Sequence, residues 1–227
     1  MIDASTFSIN GPESGEVSAL LTKPHAPIAA FVFAHGAGAG MTHTFMQDVA
    51  TGLAARRIAT LRYQFPYMER GSKRPDSPAI AHATVRAAVA AAAAALPGVS
   101  LIAGGKSFGG RMTSQAQAAT PLPDVRGLCF FGFPLHQAGK PATERGVHLA
   151  RIDVPMLFLQ GTKDALADVS LIEPLIASLA PRATLHLVAG ADHSFHVPAR
   201  SGRKDAQVLD EILDVMAEWT ANILRTA

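Results

Sequence analysis

The run IAAFVFA, spanning residues 28–34, carries no polar side chain. A strand of that kind has no face to offer to solvent, so it belongs in a sheet covered on both sides, the usual setting of parallel strands. Similar runs recur at IATLRYQ (58–64), SLIAGG (100–105), RGLCFFGF (126–133), VPMLFLQG (154–161) and ATLHLVAG (183–190). Helical patterns separate them: residues 43–56, an alanine-rich stretch stopped by Pro97 and Gly98, a segment starting near Ser107, Val169–Leu179, and residues 205–224. In the last, Val208, Ile212, Val215, Met216 and Trp219 fall at helical spacing. EVSALLTK (16–23) reads as an early strand in a hairpin with TFSIN (6–10) across the turn GPESG. The alternation predicts an α/β fold: a mostly parallel, doubly wound sheet with helices on both faces. With 227 residues, 48% of them hydrophobic, and no dividing linker, one domain over 1–227 is expected.

Charge and cysteine content remove several classes of partner. Lys and Arg number 20 against 18 Asp and Glu, a net +2 with no electrostatic footprint for nucleic acid. The single cysteine, Cys129, cannot form an internal disulfide and lies in the apolar run GLCFFGF as a small core residue. The N-terminal segment has no basic region followed by an apolar stretch, so a cytoplasmic location is expected. AIAHATVRAAVAAAAAALPG contains His82 and Arg86 and is mostly alanine, which reads as a helix of a soluble domain, with no membrane partner expected. His25, His43, His82, His136, His148 and His186 show no metal-ligand spacing, and no metal is expected.

The stretch IAGGKSFGGRM, residues 102–112, admits two chemistries. A phosphate-binding loop needs a glycine five residues before GK[ST], but that position is Ser100, and apolar strand residues fill the place of the loop. A nucleophile elbow needs a strand, a tight turn with small residues around a serine, and then a helix. All of these stand around Ser107, with Gly105 and Gly109 as the small residues. A serine hydroxyl needs a base, and the base needs an orienting carboxylate. FLQGTKDALAD places Asp164 just past one strand, and LVAGADHSFH places His193 just past the last. Loops at the carboxyl ends of parallel strands converge, so the three can meet. Asp168 sits instead where a helix starts, as its N-cap, and Asp192 reads as a turn residue. His196 is expected at the rim of the pocket, and His35 as a hydrogen-bonding support.

With HGAGAG, FPY, GGKSFGGR, GTKD and GADHSF in this order, the chain resembles the α/β-hydrolase superfamily from about Leu20 onward, in its small, capless, dienelactone-hydrolase-like branch. The resemblance implies an α/β-hydrolase fold without a cap domain and a Ser107, Asp164, His193 triad. It also implies an oxyanion hole made by the amides of Ala37 and Phe108, and no cofactor. The substrate implied is a small ester or lactone. A catalytically idle scaffold and an acyltransferase on the same triad stay open as alternatives, since one relative in the branch is better known as a scaffold. Phe65, Met68, Phe133 and Leu135 follow strands on the active edge and are candidate pocket residues, although core packing accounts for them equally well. Lys106, Arg111 and the basic residues of ERGSKRPD and ARSGRKD are read as solvated charge on that edge, with anion steering as the alternative. Only the segment 134–153 separates two strands where a lid is commonly inserted, enough for a turn and one short helix.

Overall fold

The computed structural model describes residues 2–11 and 15–225. Ile2–Gly11 (β1) and Gly15–Pro24 (β2) pair antiparallel, and β1 is longer than the expected TFSIN because it stays in register with the whole of β2. The expected turn GPESG includes residues 12–14, which lie outside the described residues. The strands Ala29–Ala34 (β3), Ile58–Tyr63 (β4), Ser100–Lys106 (β5), Val125–Phe131 (β6), Met156–Gly161 (β7) and Ala183–Val188 (β8) complete one sheet in the order β1-β2-β4-β3-β5-β6-β7-β8. β2 meets β4 antiparallel, and every later pairing is parallel.

The helices are Thr44–Ala55 (α1), Pro66–Glu69 (α2), Pro78–Ala95 (α3), Phe108–Ala119 (α4), Val169–Ser178 (α5) and Asp205–Arg225 (α6). They cover both faces, as the apolar strands require. In β3 the alternation of side chains sends Ala30, Val32 and Ala34 to the core under α3 and α4, and Ala29, Phe31 and Phe33 to the core under α1 and α6. Val208, Ile212, Met216 and Trp219 form the buried stripe of α6, with Val215 half-buried beside it. α6 lies so close to β6 that a Cβ on Gly127 would come within 2.7 Å of the Trp219 ring. Cys129 is fully buried in the same layer.

α3 alone, among the described residues, has the length and mean hydropathy of a membrane span. Its face of Ala81, Thr84, Val85, Ala88, Val89 and Ala92 is buried, and it packs on the sheet and α4 as one layer of the fold. Pro78 opens it, the Ser77 side chain accepts the Ile80 amide, and Pro97 and Gly98 follow its end. Between β6 and β7 stand one 3₁₀ segment, Glu144–Arg151, and a short bridge between Gln137 and Lys140. Among the described residues there is no cap domain.

The chain passes from β3 to β4 on one side, then returns to place β5 on the other side of β3. That reversal opens a crevice beyond the carboxyl ends of β3 and β5. The HGAGAG loop and Ser107 stand on its two sides.

Candidate active site

Ser107 occupies the junction of β5 and α4 at φ 51° and ψ −114°, a left-handed region that a side chain rarely adopts. Close packing holds it there. A Cβ on Gly105 would lie 2.5 Å from the carbonyl oxygen of Ala34, and one on Gly109 2.6 Å from those of Ala34 and His35. The glycines therefore let the first turn of α4 rest against the end of β3, and the Ser107 side chain projects into the crevice.

The loops after β7 and β8 bring the other two candidates to it. His193 Nε2 is 2.9 Å from Ser107 Oγ, and His193 Nδ1 is 2.6 Å from Asp164 Oδ2. The Asp164 side chain is fully buried, and its charge is met by hydrogen bonds: Oδ2 also accepts from Gln160 Nε2 at 2.5 Å, and Oδ1 accepts the Leu166 amide at 2.8 Å. Gln160 was not among the residues singled out from the sequence. The signal was there, a lone amide ending the otherwise apolar strand MLFLQG, where burial demands a partner.

The loop after β3 is braced from below. The Phe65 amide donates to His35 Nε2 at 3.0 Å, so Nε2 carries no proton and Nδ1–H donates to the Gly36 carbonyl at 2.8 Å. Burial pushes the His35 pKa down to about 4, which keeps the ring neutral in this role. Tyr67 Oη accepts from the Gly38 amide and Gln64 Oε1 from the Met41 amide. No hydrogen bond among the described residues takes up the amides of Ala37 or Phe108, the first residue of α4.

Asp168 is the N-cap of α5, accepting from the amide and hydroxyl of Ser170. Asp192 accepts the amides of Ser194 and His196 and so closes the turn that carries His193. His196 points elsewhere: it is exposed and pairs with Asp205 at 2.8 Å, which raises its pKa.

A cavity of about 440 Å³ opens beside Ser107, walled by Ala37, Phe45, Met46, Lys106, Leu166 and His193 among others. The pocket residues expected from the sequence are not in its lining. Phe65, Phe133 and Leu135 are 0%, 1% and 0% exposed and belong to the core under α3 and α4, where Phe65 packs on Tyr63 and Phe133 on Phe130 and Phe158. Met68 lies behind the loop, against Gly40, and His196 is held outward by Asp205. The reason is directional: the chain leaving β4 and β6 turns its large side chains down into the sheet's covering layer, and α1 supplies the wall instead. Lys106 is likewise not free in solvent: it is half-buried, and its ammonium donates to the His193 carbonyl beneath the loop.

A second Ser–His contact exists within α4 and the 3₁₀ segment. Ser114 Oγ donates to the Arg111 carbonyl at 2.9 Å and stands 2.7 Å from His148 Nε2. Its proton being committed to a carbonyl, Ser114 receives a hydrogen from His148 and has none to give to it. Ser114 is fully buried and lines no part of the cavity, so the pair braces the segment. Among the described residues no group of three or more His, Cys, Asp or Glu is arranged to hold a metal ion.

A family model described as an alpha/beta hydrolase domain matches residues 27–221. The dienelactone hydrolase from Anabaena variabilis superposes with a TM-score of 0.79 at 19% identity, covering 97% of this chain and 98% of the other. A serine hydrolase without lid from Xanthomonas campestris gives 0.73 at 19% identity, covering 96% and 95%. The esterase domain of a Rhodothermus marinus protein gives 0.67 at 14% identity, covering 96% and 97%.

Proposed function

Because the chain belongs to the alpha/beta hydrolase family and has the fold of its small, capless members, we propose that it is a serine hydrolase of small carboxylic esters or lactones. The observation that carries this reading is the unbroken line from Ser107 Oγ through the His193 ring to the buried Asp164 carboxylate, at an elbow with positive φ. Ser107 Oγ attacks the acyl carbon while His193 Nε2 takes its proton. Asp164 holds Nδ1–H and stabilises the imidazolium. The amides of Ala37 and Phe108 receive the developing oxyanion. Collapse of the tetrahedral intermediate expels the alcohol, which takes the proton from His193 and leaves an acyl-serine. Water, deprotonated by His193, then attacks the acyl carbon, and the acid leaves as His193 returns the proton to Ser107 Oγ.

The cavity size and the absence of a cap favour short acyl groups, because a long chain finds little further surface to cover its methylenes, each worth about 0.8 kcal/mol when buried. Reaction with a fluorophosphonate followed by peptide mapping tests the reading. The label is expected on Ser107 and absent from folded Ser107→Ala. Unlabelled wild type that turns over no ester would instead support a scaffold.

A further inference from the structure

Lys106 stands one peptide bond before Ser107, yet its side chain runs toward the base. Its Nζ donates to the backbone carbonyl of His193 at 2.5 Å. The Phe45 and Phe195 rings stack with 6° between their planes, and the ammonium lies 5.8 and 5.4 Å from their centroids. Gly132, at φ 66°, makes the room: a Cβ there would lie 2.8 Å from Nζ and 3.3 Å from the His193 ring. Asp164 and Asp192 are near enough to act on the charge, but the acceptor it bonds is the neutral carbonyl of the base.

We propose that Lys106 is a positioning residue for His193, clamping the base's backbone to the strand that carries the nucleophile. Without this clamp the His193 loop is held by its own Asp192 turn, by bonds from the Lys163 amide to the Ala191 carbonyl and from the Gly190 amide to Thr162 Oγ1, by the buried Phe195 and by the imidazole's contacts, and none of these ties the backbone of His193 to β5. A shift of the imidazole by even 1 Å costs on the order of 100-fold in rate. The arrangement is not one that stability selects. Enclosure lowers the Lys106 pKa to about 8, so the folded state holds a charge that it disfavours. An apolar chain of similar length removes that burden together with the hydrogen bond.

The proposal rests on the hydrolase reading, and its test separates the two. Lys106→Met is expected to lower kcat by roughly 10- to 100-fold with KM within about twofold, at a Tm equal to or above wild type. Lys106→Cys is expected to be equally slow, and alkylation with 2-bromoethylamine, which restores an ammonium at nearly the original length, to recover most of kcat; Cys129 is fully buried with its thiol pKa pushed up and does not compete. Amide hydrogen exchange over residues 191–195 needs no turnover: it should quicken in Lys106→Met and slow again in the alkylated Lys106→Cys protein. Unchanged exchange in Lys106→Met overturns the clamp, whether or not the wild type is a hydrolase. So does undiminished kcat, or a loss of activity matched by a loss of folded protein that alkylation does not reverse. Wild type with no turnover and no fluorophosphonate label overturns the hydrolase reading alone.

Discussion

Gln160 and His193 share one oxygen: Oδ2 of Asp164 accepts from Gln160 Nε2 at 2.5 Å and lies 2.6 Å from His193 Nδ1. The orientation of the amide is forced, since Gln160 Oε1 accepts the Phe133 amide hydrogen at 2.9 Å and so turns Nε2 toward the carboxylate. Gln160→Met leaves a buried donor and a buried carboxylate each short of a partner, a cost of about 1–3 kcal/mol apiece. Urea unfolding should register the loss, and kcat should fall more than KM rises. Wild-type stability in Gln160→Met would show that Asp164 is held adequately without it.

Of the two Ser–His pairs, only one should affect turnover. Ser107→Ala is expected to abolish ester hydrolysis, whereas Ser114→Ala keeps it and loses about 1 kcal/mol of stability with its hydrogen bonds. The histidines should divide in the same way: His193→Ala should lower kcat by several orders of magnitude, and exposed His196→Ala by little. Steady-state kinetics on a p-nitrophenyl ester, with protein folding checked by circular dichroism, decides both comparisons.

Acid should weaken the fold through His35. Its pKa is depressed from 6.5 to about 4 in the native state, so between those values the unfolded chain binds the extra proton. The stability it contributes is complete above pH 6.5 and is lost as the pH falls toward 4, on the order of 3 kcal/mol in all. Protonation would also make Nε2 a donor facing the Phe65 amide, another donor. The difference in unfolding free energy between wild type and His35→Gln should therefore change across pH 6.5 to 4.5; a difference constant with pH would refute this assignment.

Two glycines near the nucleophile should respond oppositely to alanine. At Gly109 the new Cβ would sit 2.6 Å from two backbone carbonyls, which cannot yield without moving β3, and a loss of at least about 3 kcal/mol or failure to fold is expected. At Gly36 the nearest atoms are 3.6 Å away or farther, an ordinary contact. Gly36→Ala should fold normally, with kcat/KM lowered because a methyl group lines the approach to the Ala37 amide. Thermal melts and kinetics of the two variants provide the check.

Acyl-chain preference should follow the observed wall. With p-nitrophenyl esters of increasing length, kcat/KM is expected to fall once the chain outgrows the space bounded by Phe45, Met46 and Leu166. Leu166→Ala should move the optimum longer by about two to three methylenes, as its backbone bond to Asp164 is retained. Replacing Phe65 or Phe133, both in the core, should lower stability without moving the optimum. A steady rise into long-chain esters would contradict the open site.

The sheet was legible in the sequence because unbroken apolar runs such as IAAFVFA leave no alternative to burial on both faces. The elbow was legible because close packing and positive φ demand small neighbours, and GGKSFGG displays them. Asp164 and His193 could be named from chain position, since parallel strands deliver their following loops to one edge, and Asp168 could be set aside because an N-cap is a local signature. The wall of the cavity was not legible. Whether a phenylalanine just past a strand turns into the core, as Phe65 and Phe133 do, or faces the crevice, as Phe45 does from α1, depends on where distant segments leave space. The partners of Gln160 and Lys106 were hidden for the same reason, lying across β6 and the loop after β8. Residue type and spacing fix periodicity, caps and turns, which are local. The surroundings of a single amide or ammonium are set by contacts between segments far apart in the chain, and only the tertiary structure decides them.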